Sequence, residues 1–179
     1  MDIENDNSLL FKYCPKCASA DFHLIGDKHF KCNVCGFEFY LNNAAAVAAI
    51  ITDENGKLLI IERANEPAKG KWDLPGGFVD PGETAEETVK REITEELGVN
   101  ITLAEYFCSA PNTYRFKGVN YPVLDLAFIC TVDDISKIRP LEEIAAVIFK
   151  GPDEIDIQNF GFESTKKIIS IYLSTINKS

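Results

Sequence analysis

A chain of 179 residues is long enough for one domain with a sizeable core plus a small appendage. Apolar residues make up 46% and charged residues 26%, an ordinary globular balance, and no apolar run approaches the roughly 18 residues of a membrane helix. The formal net charge of −10 argues against non-specific nucleic-acid binding, which relies on Lys and Arg against phosphate, but admits a small anionic substrate if metal ions mask the acids locally.

The acidic start MDIENDNSLL lacks the basic-then-apolar pattern of a secretion signal, so the expected compartment is the cytoplasm. Residues 1–10 are polar and expected to be disordered. Residues 11–41 are predicted to form a compact unit in which short β-type runs, Phe22–Ile25, His29–Lys31 and Phe37–Tyr40, lie between and after two C-x-x-C pairs, Cys14/Cys17 and Cys32/Cys35. About 30 residues cannot hold together by core burial alone. Four thiolates around a tetrahedral Zn²⁺ would hold them, because in such units metal binding is folding energy. Two disulfides or a pair of redox dithiols are the alternatives, and neither suits a cytoplasmic chain. The segment resembles a zinc ribbon. His23 and His29 are surplus to four Cys ligands. The four lysines of the unit, Lys12, Lys16, Lys28 and Lys31, face three acids, so no basic stripe exists and a structural ribbon is expected over a nucleic-acid module. Cys108 and Cys130 stand alone in apolar runs and read as packing residues.

Residues 44–62 hold two strands joined by Asp53-Glu54-Asn55-Gly56, a hairpin signal, and the small alanines of the first suggest a helix packed close across the sheet. Residues 64–73 read as a loop in which Lys69, Lys71 and Trp72 could meet a phosphate or a base. Past the box described next, Thr102–Ser109 reads as a strand and Ala110–Lys117 as a loop offering Tyr114, Arg115 and Phe116 to a substrate. Val119–Val132 is a long strand interrupted by Pro122. Asp133–Leu141 is a polar connection, Ile144–Lys150 the last strand, and Asp153–Phe160 irregular. Phe162–Ile176 is an amphipathic closing helix. Strands mixed with two helices give an α/β (α+β) layer fold.

The stretch Gly77–Val99, GFVDPGETAEETVKREITEELGV, is a Gly-rich loop followed by a helix loaded with carboxylates. Thr84 with Glu87 forms a capping box, and Gly98 is the natural stop. Ala85, Val89, Ile93 and Leu97 make one apolar face. Glu92, Glu95 and Glu96, at i, i+3 and i+4, crowd another, where three like charges cost a few tenths of a kcal/mol per pair, roughly. A hard cation such as Mg²⁺ or Mn²⁺ reverses that sign, since it takes carboxylate oxygens together with substrate phosphates.

These positions fit the Nudix box. Gly77, Glu83, Arg91, Glu92, Ile93, Glu95, Glu96, Gly98 and Val99 fill every fixed place over 23 residues. The resemblance implies the Nudix fold, a mixed sheet between helices, over residues 44–177, preceded by the ribbon. It further implies hydrolysis of a nucleoside diphosphate linked to another group, X. Glu92, Glu95 and Glu96 would hold the metal, with the Gly77 carbonyl as a further ligand. Glu92 would also activate water and Arg91 hold it, while Glu83 would assist at the helix entrance. A general base outside the box is equally compatible with the family, and Glu142, Glu143, Asp153, Glu154 and Glu163 are the candidates.

A ribbon ahead of a Nudix domain is similar to NADH pyrophosphatases. That family carries a further N-terminal domain and Ser-Gln-Pro-Trp-Pro-Phe-Pro-x-Ser after the box. Neither is present in this sequence, which has Ser109-Ala110-Pro111-Asn112-Thr113-Tyr114 at the second place. The implied substrate therefore widens to an NADH-like dinucleotide, ADP-ribose or a nucleotide sugar. A nucleoside triphosphate, or a non-catalytic sensor, is the alternative. A homodimer is left open.

Overall fold

The computed structural model describes residues 10–117, 119–141 and 143–177, which divide into two units. The first comprises the chain up to Asn43 together with Thr113–Pro122. Its three antiparallel strands, β1 (Phe22–Ile25), β2 (His29–Cys32) and β3 (Glu38–Tyr40), pair in chain order. Phe22 and Phe30 are buried between them, and Phe11 meets Phe30 edge-on at 5.1 Å and Phe39 at 5.3 Å. The unit thus adds a small aromatic core to its cysteines.

The second unit is built on β4 (Ala44–Ile51), β5 (Leu58–Arg63), β6 (Trp72–Asp73), α1 (Ala85–Leu97), β7 (Ile101–Phe116), β8 (Val119–Val132), β9 (Ile144–Lys150) and α2 (Glu163–Ile176). Strands β7 and β8 run on at one end into the first unit. β4 pairs in parallel with β8, and β7 lies beyond β8. A second sheet sets β5 between β6 and β9, antiparallel to both. Parallel and antiparallel pairings both occur, and the described residues form two α-helices, as the pattern implied.

β4 explains the architecture. Its side chains alternate, and both faces are covered. Val47, Ala49 and Ile51 pack with Val89, Ile93 and Leu97 of α1; Ala48 and Ile50 pack in the core formed by Ile168, Ile169 and Tyr172 of α2. The alanines allow the close helix approach expected of them.

Two expectations fail. β4 and β5 do not form a hairpin ladder. The Asp53–Gly56 turn exists, with Asp53 Oδ1 accepting the Asn55 and Lys57 amides, but only the Thr52–Leu58 bridge follows it. A strand buried on both faces finds its partner in the apolar β8, and β5 leaves for the other sheet. Nor is Ala110–Lys117 a loop, since β7 runs unbroken to Phe116. Among the described residues β7 has one neighbour in its sheet, so Pro111, which lacks an N–H, is tolerated there.

Candidate active site and thiolate centre

The helix α1 starts where its caps dictate. Thr84 Oγ1 accepts the Glu87 amide and Glu87 Oε2 accepts the Thr84 amide; Gly98 closes the helix in the left-handed region at φ 71°. With Val89, Ile93 and Leu97 fully buried, Arg91, Glu92, Glu95 and Glu96 are turned toward the Gly76–Phe78 loop.

Arg91 organises this face. Its Nε donates to Glu83 Oε1 at 2.8 Å and its Nη2 to Glu83 Oε2 at 2.9 Å, a two-pronged pair. Nη2 also donates to the Phe78 carbonyl at 3.2 Å, and Nη1 to Glu92 Oε1 at 2.8 Å and Glu95 Oε2 at 3.1 Å. All five guanidinium N–H groups therefore end on protein acceptors. In this arrangement the Arg91 side chain orients Glu83, Glu92 and Glu95. Glu83 is also more than an entrance residue. It is the anchor of Arg91, whose hydrogen bonds hold its carboxyl at about 2, and it accepts from Thr88 Oγ1 at 2.9 Å.

Glu96 is set apart. Its Oε2 accepts the Gly76 amide at 2.8 Å, and burial pushes its carboxyl up to about 8. Burial raises Glu92 as well, with Arg91 opposing. The Glu92 side chain is 15% exposed and that of Glu95 43%. Gly77 lies flush against Glu92: a Cβ there would collide with the carboxylate. The Gly77 carbonyl accepts the Val47 amide at 2.8 Å, so this expected metal ligand is already engaged by β4. The donor set still fits a hard divalent cation. Three carboxylates share one helix face, two of them carrying a burial cost on their charge that a cation would offset.

In the first unit, Cys14, Cys17, Cys32 and Cys35 place their sulfurs within 4.8 Å of one another, the one such His/Cys/Asp/Glu group among the described residues. Cys14 Sγ is 3.7 Å from Cys35 Sγ, and Cys17 Sγ is 3.6 Å from Cys32 Sγ. Four sulfurs at about 2.3 Å from one ion would be about 3.8 Å apart, so the spacing suits tetrahedral zinc, and the four cysteines are free of disulfides. Matching turns form the knuckles, with the Ala18 amide on the Cys14 carbonyl and the Gly36 amide on the Cys32 carbonyl. His29 stacks on Tyr40 and His23 pairs with Asp21. Cys130 is buried and Cys108 half-buried.

The remaining candidates are scattered. Trp72 packs edge-on against Phe160 at 5.8 Å with Lys150 over its ring. Tyr114, Arg115 and Phe116 lie on β7 in the stretch grouped with the first unit, with the Tyr114 and Phe116 rings 6.3 Å apart. Of the alternative bases, Glu142 lies outside the described residues. Glu143 and Asp153 are exposed, Glu154 caps the Gly151 amide, and Glu163 pairs with Lys166.

Two polar groups escaped the sequence reading. Buried Asp73 receives hydrogen bonds from Arg63, Thr165 and the Leu74 amide, and burial pushes it up to about 6. Asp125 of β8 receives one from Asn112 of β7, and burial raises it too. The available signal was an acid inside an apolar run, as in VLDLAF.

Comparison with known proteins agrees with this geometry. The NUDIX domain family matches residues 42–169. An ADP-ribose pyrophosphatase of Methanocaldococcus jannaschii is 54% identical over 63 residues, 35% of this chain and 37% of that protein. An NAD-capped RNA hydrolase NudC of Chromobacterium violaceum is 31% identical over 131 residues, 73% of this chain and 46% of its own length. The chain thus spans less than half of each of these relatives. A NUDIX hydrolase from Nitrosomonas europaea superimposes with a TM-score of 0.68 at 25% identity, covering 92% of this chain and 91% of the other. With the family match spanning most of the chain and including the loop and helix just described, this chain belongs to the NUDIX domain family.

Proposed function

We propose that this chain hydrolyses the diphosphate bridge of a nucleoside diphosphate linked to X, giving two monophosphates. X is taken as a second nucleoside, ribose or another sugar. The observation that carries the reading is the carboxylate face of α1, with Glu92 and Glu95 steered by one arginine and Glu96 by the Gly76 amide. Glu92, Glu95 and Glu96 would hold Mg²⁺ or Mn²⁺. A cation bound there supplies charge neutralisation of the phosphate oxygens and a lower pKa for water.

The chain's own residues do the rest. Arg91 grips Glu92 Oε1, which assigns Oε2 to the water proton. As that proton leaves, the water oxygen bonds to phosphorus and the bridging oxygen departs with the other monophosphate. Glu83 keeps Arg91 in place through the paired hydrogen bonds, and Gly77 supplies the clearance that lets Glu92 lie against the loop. Likeness to an ADP-ribose pyrophosphatase and to an NAD-capped RNA hydrolase supports a bridge between two groups as the point of cleavage.

Zn²⁺ on Cys14, Cys17, Cys32 and Cys35 is assigned a structural role, residues 11–41 being the ribbon and 44–177 the catalytic domain. None of the described helices is long and apolar enough to cross a membrane. Six free cysteines suit a reducing compartment, and we assign the protein to the cytoplasm. Tyr114, Arg115, Phe116 and Trp72 are assigned to the substrate, with Tyr114→Ala expected to raise KM more than it lowers kcat.

The test is turnover of NADH, ADP-ribose, nucleotide sugars and nucleoside triphosphates with Mg²⁺, followed by phosphorus NMR in ¹⁸O-labelled water. Two monophosphates from a diphosphate bridge are expected. Pyrophosphate from a triphosphate, with bridged substrates untouched, overturns the reading in favour of a triphosphate hydrolase. No turnover at all favours the sensor.

A further inference from the structure

Residues 73–77 lead from β6 to the carboxylate face, and each end is fixed by a different part of the second unit. At the far end β4 does the fixing. The Pro75 carbonyl accepts the Ala49 amide at 2.8 Å, and the Gly77 carbonyl accepts the Val47 amide at 2.8 Å. Gly76 lies so close to β4 that a Cβ there would stand 2.1 Å from the Val47 carbonyl oxygen. Between these two points the Gly76 amide reaches Glu96 Oε2. At the near end stands Asp73, a buried carboxylate that the proposed reaction does not use. Its Oδ1 accepts the Leu74 amide at 2.9 Å and Thr165 Oγ1, from the first turn of α2, at 2.8 Å. Its Oδ2 accepts Arg63 Nη1 of β5 at 3.3 Å. Arg63 is itself fixed, with Nε on the Pro67 carbonyl at 2.8 Å and its guanidinium 5.1 Å from the centre of the Phe162 ring. One carboxylate thus joins β5, the loop and α2 just ahead of the amide that holds Glu96. Both charges of the pair reach Glu96: Asp73 raises it and Arg63 lowers it. Burial pushes Asp73 up to about 6, so the pair is a weak source of stability and a costly way to fill the position.

We propose that Asp73 is a positioning residue for Glu96, and that through it the first turn of α2 sets the geometry of the metal-holding face. The inference deepens the function proposed above and rests on its reading of Glu96 as a metal ligand. The chain of contacts is short. Thr165 and Arg63 fix the Asp73 carboxylate, and Oδ1 fixes the Leu74 amide. Leu74 and Pro75 carry that constraint to Gly76. Gly76 has no room to retreat toward β4, so a shift at Asp73 passes to the Gly76 amide and to the carboxylate it holds. Mg²⁺ demands near-ideal octahedral geometry, so a small displacement of one carboxylate is read as lost cation affinity.

The experiment measures Mn²⁺ binding to the full, zinc-loaded chain by electron paramagnetic resonance, to which Zn²⁺ contributes no signal, apart from turnover of ADP-ribose. Glu96→Gln should weaken Mn²⁺ by about tenfold or more. Asp73→Asn should weaken it by about threefold to tenfold, below the roughly 10–100-fold typical of a direct partner of a ligand. Thr165→Val, which removes the hydroxyl and keeps the shape, should do the same, and Thr165→Ser should stay within about twofold of the parent. In the Glu96→Gln background, Asp73→Asn should add less than about twofold, because it acts through Glu96. Ile168→Val trims the core under the same helix and should lower the melting temperature with Mn²⁺ binding unchanged. If Asp73→Asn does not fold, the Thr165→Val and Thr165→Ser pair carries the test. Parental Mn²⁺ affinity in Asp73→Asn or Thr165→Val overturns the inference. So does a full independent effect of Asp73→Asn beside Glu96→Gln, or a loss in Ile168→Val as large as theirs. If ADP-ribose is cleaved while Asp73→Asn binds Mn²⁺ like the parent, the positioning role fails and the proposed reaction stands. If Mn²⁺ binding responds as expected but no bridged substrate is cleaved, the positioning role stands and the reaction fails.

Discussion

The two candidate metal centres of this chain are assembled by opposite means. The four cysteines come from two C-x-x-C turns whose own backbone hydrogen bonds aim the thiols inward, and their sulfurs already stand 3.6–3.7 Å apart in cross-paired couples. The three glutamates come from one helix face, where spacing alone makes them repel; Arg91 Nη1 satisfies two of them and the Gly76 amide the third. Soft, closed thiolate sites suit a resident ion that contributes to folding; an open carboxylate face suits an exchangeable ion that arrives with phosphate. Mild chelation and dialysis should therefore abolish activity, restorable by Mg²⁺, while about one zinc per chain remains. Loss of both together in one step would show that the two centres do not differ in this way.

The largest effect is expected at Glu92. Glu92→Gln keeps the shape and removes the charge, and kcat should fall by about 10²–10⁴ with the fold intact. Retention of activity within a few-fold would move the base elsewhere and leave Glu92 a mere partner of Arg91. Next comes Gly77→Ala. A methyl there meets the Glu92 carboxylate, so it should displace that side chain and cost about 10–10² in kcat. Near-parental kinetics would mean that the carboxylate has room to work from another position.

Cys14→Ser addresses the other half of the comparison. Zinc content should drop and the ribbon should melt earlier, because the metal is folding energy there. Whatever folds should cleave substrate within a few-fold of the parent rate. A collapse of kcat without loss of zinc would contradict a structural role.

Local signals explain how much of this was legible beforehand. The capping box, Gly98 and the four-residue apolar spacing act within one helix, and α1 appears where they put it. The paired Cys motifs likewise close on themselves. Choices between distant strands were not legible. Asn55-Gly56 promised a hairpin, yet β4 took β8, nearly eighty residues away, as its partner. Pro111 and Asn112 read as loop residues until β7 proved to lie beside β8 only, with Asn112 pairing to Asp125. Within the site, the identity of the acids was readable but the acceptors of Arg91 were not. Its partner Glu83 lies eight residues away across the helix start, beyond any helical spacing rule.

The smallest expected effect concerns Glu83 and is read through pH. Its carboxyl is held at about 2 in the folded chain, against an ordinary value of 4.5, chiefly by the hydrogen bonds from Arg91. A depressed acid contributes stability that is fully present above the unfolded value and is lost as pH falls through the folded one. The parent should therefore lose part of its stability between about pH 4.5 and 2 from this group. Glu83→Gln cannot titrate, so its melting temperature should depend less steeply on pH over that window while being lower at pH 7. In the same variant Arg91 keeps Glu92 and Glu95 but loses its anchor, so kcat should fall by less than in Glu92→Gln, by about tenfold, with KM little changed. Melting curves from pH 7 to 2 for both proteins, alongside kinetics at neutral pH, check the two consequences together. An unchanged acid limb would show that the Glu83–Arg91 pair contributes nothing to folding, and unchanged kcat would show that Glu92 is positioned without it.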